Sequence, residues 1–169
     1  MRLKSAGSAI GWLLGLALAA SGTFATASHW TERQGTFSAY WAVSGTVHLI
    51  DFKDSSVTAA GSHTGTVTIQ TSEGPVRAFE TDCVAFADEE SSHGRCVWTG
   101  PLGDLVYVEL KGTGLAGFGR TRGTFVGGTG KYEGIEGGFS FEWNYNVSRG
   151  QDATFDGYTL EMQGNYRKP

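Results

Sequence analysis

The sequence predicts an all-β domain, a sandwich or a barrel, on two observations. Apolar and polar residues alternate with a period of two through short runs; in residues 104–111, Val106, Val108 and Leu110 face one way and Leu105, Tyr107, Glu109 and Lys111 the other. These runs are cut by turns drawn from 26 glycines, and no segment carries a helical apolar stripe of three turns. So much glycine favours a barrel, with its curved strands, over a jelly roll or an immunoglobulin-like sandwich.

Residues 1–27 are set apart from that pattern. Arg2 and Lys4 precede an apolar stretch, residues 10–20, too short to span a bilayer comfortably, and Ala25-Thr26-Ala27 has the small-x-small form of a cleavage site. The pattern predicts an exported chain cleaved after Ala27. An uncleaved membrane anchor is the weaker alternative, because Gly15 interrupts the run, and with no cysteine near the site a lipoprotein anchor is not expected. Residues 28–169 then make one domain of 142 residues, enough to bury a core unaided. Removing Arg2 and Lys4 from 13 basic residues leaves 11 against 17 acidic ones, a net charge of −6 with histidine neutral. That balance argues against general nucleic-acid or anionic-membrane binding.

Residues 28–35 show no periodicity and read as an arm. In the next run Phe37, Ala39, Trp41 and Val43 oppose Ser38, Tyr40 and Ala42, and Gly45 suggests a bulge before a continuation through residues 46–52. Residues 53–65 are small, polar and turn-rich, and read as a loop. Residues 66–71 alternate around Val67 and Ile69; after a turn at residues 72–75, residues 76–87 form a long strand, 88–94 a polar hairpin tip and 95–99 the returning strand. Residues 100–103 turn the chain into the 104–111 strand, residues 112–119 connect it to a strand at 120–126, and 139–147 is the next. The last, 154–166, sets Phe155, Thr159 and Glu161 against Tyr158, Leu160, Met162 and Tyr166.

Cys83 and Cys96 lie in the part expected to be exported and are predicted to pair, closing a loop of about 14 residues and contributing roughly 3 kcal/mol in the chain-entropy model. A metal pair or a reactive thiol is the alternative, with His93 the one histidine close in sequence; a single imidazole beside two cysteines is a weak set. His29, His48 and His63 are scattered over arm, strand and loop, and His48 reads as a satisfied strand residue. Asp88-Glu89-Glu90 invites a calcium reading, yet a solvated hairpin tip accounts for it. Gly112-x-Gly114-x-x-Gly117 matches a dinucleotide fingerprint in letters only, since a strand follows it rather than a helix N-terminus. No Gly-x-Ser-x-Gly elbow is present, and Asn146-Val147-Ser148 is a glycosylation sequon that matters only in a eukaryotic source.

Residues 123–143 organise the rest. Strand-forming Thr124–Val126 leads into Gly127, Gly128 and Gly130, which supply positive φ or close backbone approach. Residues 131–135 fit one tight turn with Tyr132 and Ile135 on one side, and Phe139, Phe141 and Trp143 then alternate with Ser140, Glu142 and Asn144. The expected result is an aromatic plug at a barrel rim. The segment VGGTGKYEGIEG, with Gly127, Gly128, Gly130, Tyr132, Gly134 and Gly137, resembles the turn shared by small secreted β-barrels similar to allene oxide cyclases and dirigent proteins, many of them bacterial. The cysteine-bounded hairpin CVAFADEESSHGRCVWTGPLGD is similar to bacterial members of that group. The resemblance implies a closed or nearly closed eight-stranded antiparallel barrel of the calycin kind. It also implies a cavity that steers cyclisation or coupling by shape with a few acidic or hydroxyl groups and no cofactor, and a trimer in many members.

The matched residues are structural glycines and a turn tyrosine, so no catalytic residue carries over, and the disulfide hairpin departs from the plant cyclases. Lumen contents would decide the role. If the mixed faces line it, Arg77, Tyr107, Glu109, Glu142 and Asn144 are the groups that would orient a ligand or transfer a proton; if they face solvent they are ordinary surface, as outer faces of barrels are normally polar. Binding of an apolar small molecule or a protein partner without catalysis is the favoured function. A cofactor-free cyclase or dirigent-like enzyme and a structural envelope or secreted module are the alternatives. No metal and no cofactor are called for.

Overall fold

The computed structural model describes residues 32–54, 56–72, 74, 77–113, 120–148 and 152–169. The predicted leader and its cleavage site, His29 and most of the 112–119 connector lie outside these. Eight strands form a closed antiparallel barrel: β1 Gln34–Asp51, β2 Val57–Thr71, β3 Arg77–Ala87, β4 Ser92–Thr99, β5 Leu105–Gly112, β6 Arg120–Gly128, β7 Glu136–Val147 and β8 Asp152–Arg167. Each strand pairs with its sequence neighbours, and β8 closes on β1, from Gln34 opposite Arg167 to His48 opposite Asp152. Among the described residues no helix is long and apolar enough to cross a membrane.

The expected alternation holds for β1, where Phe37, Trp41 and Val43 are buried and Tyr40 and His48 exposed. Two expectations are corrected. Of residues 53–65, expected as a loop, 57–65 belong to a strand, because β2 begins at Val57. Its inward positions there are Ala59, Gly61, His63 and Gly65, and its outward ones Ala60, Ser62 and Thr64, so neither face displays the large apolar residues that reveal a strand. Nor is Gly45 a bulge: β1 runs through it in unbroken register, opposite His63 on one side and Phe155 on the other. Its role is space, since a Cβ there would sit 2.7 Å from Cβ of His63.

Register shifts occur between β5 and β6, where Tyr107 opposes Gly127 but Val108 opposes Phe125, and in β8. One extra residue there shifts the register against both β1, between Ala39 and Ala42, and β7, between Ser140 and Glu142. Glu161 takes φ 49°, a left-handed conformation unusual for a side-chain-bearing residue. Leu160 and Glu161 both point outward, and Met162 and Tyr166 rejoin Thr159 inside. The predicted sides of β8 are therefore exchanged beyond Leu160. Where the ladder is interrupted, the buried Trp41 amide donates instead to Oγ1 of Thr159 at 2.9 Å.

The lower half of the lumen is filled. Trp98 packs on Phe79, Phe125 and Phe139 with ring centroids 5.2–6.2 Å apart, and Phe37 joins Phe125, Phe139 and Tyr166. Such rings contribute roughly 2–3 kcal/mol each when fully buried. Glycines on neighbouring strands make the room: a Cβ at Gly123 would lie 2.1 Å from the Phe139 ring, and one at Gly164 2.5 Å from Phe37. The predicted plug is present as a 3-10 turn, Gly130–Tyr132, whose Tyr132 lies 5.7 Å from Phe79 with Ile135 buried beside it. Gly127, Gly130, Gly134 and Gly137 all have positive φ, and Gly128 has no room for a Cβ, 2.5 Å from the Leu105 carbonyl. At Gly130 both constraints meet, because φ is 54° and a Cβ would strike the Asp104 carboxylate.

Candidate ligand-binding cavity

Above this packed half the same inward positions carry smaller side chains, and a cavity of about 190 Å³ opens between the far strand ends. Behind two of its lining residues lies Trp41, fully buried, 5.9 Å from His63 and 5.1 Å from Trp143 between ring centroids, whose indole N–H donates to Oγ1 of Thr81 at 3.0 Å. One wall is aromatic: Trp143 and Tyr145 stack at 5.4 Å, Tyr145 meets Phe155 edge to face at 5.7 Å, and His63 closes the ring at 5.8 Å from Phe155 and 6.2 Å from Trp143. The facing wall is small, with Ala59, Gly61, Ala85 and Gly94. Ser92, Thr113 and Thr121 add hydroxyls, and among the described lining residues there is no Asp, Glu, Lys or Arg.

His63 is the polar centre of the cavity. It is 8% exposed, and its Nε2 has no hydrogen-bond partner among the described residues. Burial pushes its pKa down to about 4, with the Asp82 carboxylate opposing, so the imidazole is neutral at ordinary pH. Burial likewise raises the Tyr145 phenol well above its usual range, which keeps it protonated. The cavity thus offers the uncharged imidazole of His63, one phenol and three hydroxyls on a largely apolar surface, with His93 also bordering it, and is suited to holding an uncharged molecule by shape and a few hydrogen bonds.

The structure places the sequence candidates elsewhere. Tyr107, Glu109, Glu142 and Asn144 lie on the outer wall. Glu109 pairs with Arg95 at 2.5 Å and Glu142 with Arg120 at 3.6 Å, both solvent-exposed, and Tyr107 borders a groove on the outer surface of β3 to β5. Arg77 does point inward, but at the closed end, where it partly offsets the burial that raises the Tyr132 phenol. There burial, followed by the neighbouring Arg77 and Lys131 charges, lowers the Lys168 pKa. None of the five lines the cavity.

Cys83 and Cys96 form the predicted disulfide. They are direct register partners on β3 and β4 with Cα atoms 4.1 Å apart, and both side chains are buried in the lumen. The histidine beside them is His63, register partner of Cys83 on β2, and not His93, which is exposed on the outer face of β4. His48 is exposed and bonded to Asp152 at 2.5 Å. Asp88 closes the hairpin tip by accepting from the Glu90 and Ser91 amides at 2.9 and 2.7 Å, and these bonds lower its pKa. The signals for His63 and Tyr145 were present: the alternation of Val67 and Ile69 extends back to residue 63, and that of Phe139, Phe141 and Trp143 forward to 145.

No protein-family model matches the chain, and no curated protein does. Among solved structures it is similar to a pterocarpan synthase dirigent protein, at 11% identity and a TM-score of 0.47 over 80% of this chain and 93% of that one. That similarity transfers no residue of the cavity.

Proposed function

We propose that the protein is an exported, single-domain barrel that binds one small uncharged apolar molecule in its open half and does not change it chemically. The observation that carries this reading is a largely apolar cavity in which a buried polar group, Nε2 of His63, lacks a hydrogen-bond partner among the described residues. A ligand hydroxyl or carbonyl beside it would supply the missing bond. An apolar cavity of about 150 Å³ accommodates benzene, so 190 Å³ suits a molecule one ring or slightly larger, with any further part projecting through the mouth. Cofactor-free cyclisation or coupling is the second reading. It rests on one observation, that the His63 imidazole and the Tyr145 phenol line the same cavity; burial moves both pKa values away from neutrality, so they serve hydrogen bonding to a reactive ligand better than proton transfer.

Native mass spectrometry of the protein from its own host, with identification of any released molecule, tests the proposal, and binding of the uncharged probe N-phenylnaphthylamine gives an affinity. The expected result is a one-to-one apolar ligand on a chain beginning at Ser28. The substitution Ala85→Phe, which fills the cavity from the small wall, should abolish probe binding and leave the fold intact. A wild-type protein that carries no ligand and excludes the probe would overturn the binding reading. Conversion of the released molecule on renewed incubation would favour the enzyme. The same spectrum reads the oligomeric state.

A further inference from the structure

We propose that, once the Cys83–Cys96 disulfide is reduced, His63, Cys83 and Cys96 form a buried site for one divalent cation of the Zn²⁺ class. The three residues stand at one level on three successive strands: His63 is the register partner of Cys83, and Cys83 of Cys96. One donor atom from each lies within 4.8 Å of the other two, and all three residues are buried. Nε2 of His63, buried and without a hydrogen-bond partner among the described residues, is an unsatisfied donor-acceptor group of the kind a metal site accounts for. An imidazole and two thiolates are the nitrogen and sulfur set that Zn²⁺ takes, whereas Ca²⁺ and Mg²⁺ require oxygens. Zn²⁺ holds such donors roughly 3.5–3.8 Å apart, so after reduction the two sulfurs, bonded in the disulfide, must move apart while the imidazole nitrogen stays within the 4.8 Å that now spans the three donors. Three protein ligands leave a fourth position for water or for a donor from the cavity that His63 lines.

The electrons come from an external dithiol. It transfers two electrons and two protons to the disulfide and leaves as its own disulfide, giving two cysteine thiols. Zn²⁺ then displaces both thiol protons, so binding releases two protons and weakens in acid. The covalent link between β3 and β4 is thereby replaced by a coordinate one that also ties in β2.

The test uses the protein in both redox states, reduced with a phosphine under anaerobic conditions, and Co²⁺ as a spectroscopic stand-in. The reduced wild type should take one Co²⁺ per chain, with thiolate-to-metal charge-transfer absorption and the intense visible bands of tetrahedral coordination, and Zn²⁺ should displace it. The oxidised protein should take none. Losing even an outer partner of a metal ligand weakens binding by about ten- to a hundredfold, so His63→Phe should weaken Zn²⁺ binding at least that much. The Cys83→Ser, Cys96→Ser double variant should lose the charge-transfer band. Near-ultraviolet circular dichroism of the tryptophan-rich core checks folding, and His63→Gln replaces His63→Phe if the latter does not fold. A reduced wild type that binds neither ion, or a folded His63 variant with wild-type affinity, would overturn the proposal.

Discussion

At the closed end of the barrel the inward positions of β1, β3, β6 and β7 carry Phe37, Phe79, Phe125 and Phe139; at the open end the same strands present Leu49, Ala87, Thr121 and Tyr145. Strand pairing, alternation and closure are common to both halves. Side-chain volume separates them: rings seated over glycines fill one half to the density of a core, and alanines and glycines leave the other hollow. A small barrel can therefore divide stability and binding along its axis, with Trp41 as the boundary.

The strongest way to break that comparison is truncation at matched positions. Phe139→Ala at the closed end should cost about 3–5 kcal/mol in urea unfolding, as for other buried aromatics, whereas Leu49→Ala, half-buried beside an existing cavity, should cost about 1 kcal/mol. Equal losses would mean that the open half is as tightly packed as the closed one.

Acid sharpens the comparison next. The pKa of His63 is depressed to about 4 in the folded state from an ordinary 6.5, so between those values the unfolded chain binds more protons. The stability that His63 contributes is complete above about pH 6.5 and falls as the pH drops, by up to about 1.4 kcal/mol per unit and some 2–3 kcal/mol by pH 4. Urea midpoints across this range should show the loss, and His63→Leu should remove most of it. A wild-type profile as flat as that of the variant would put the imidazole in contact with water.

The smallest effect belongs to the outer wall. Glu109→Gln and Glu142→Gln each remove one exposed ion pair. Each should change stability by no more than about 0.5 kcal/mol and leave N-phenylnaphthylamine affinity unchanged. A measurable fall in affinity would show that the outer wall communicates with the cavity.

The closed end was legible in the sequence because large apolar residues at every second position declare both the strand and its inner face. Phe37, Trp41, Phe139 and Phe141 do so, and the glycine turn beneath them was readable from its spacing. The open end was not, and for the reason that makes it a cavity. A strand lined inward by Ala59, Gly61 and His63 and outward by Ala60, Ser62 and Thr64 has almost no hydrophobic contrast to read. The polar residues that looked suited to a lumen, Glu109 and Glu142, lie on strands whose other face is wholly apolar, and there the apolar face went inside. In β8, strict alternation predicted the wrong side for Met162 and Tyr166 because a single extra residue at Glu161 reverses every position after it.

The interrupted ladder at Trp41 also bears on how the chain folds. Seven of the eight pairings join strands adjacent in sequence, while the eighth brings the first and last strands together and bears most of the loop-closure entropy. At that late seam Trp41 reaches both ways, its amide to Thr159 on β8 and its indole across the lumen to Thr81 on β3. One residue thereby couples closure of the sheet to collapse of its interior, so a chain whose last strand has not docked also lacks part of the support for His63 and Trp143 in the cavity wall.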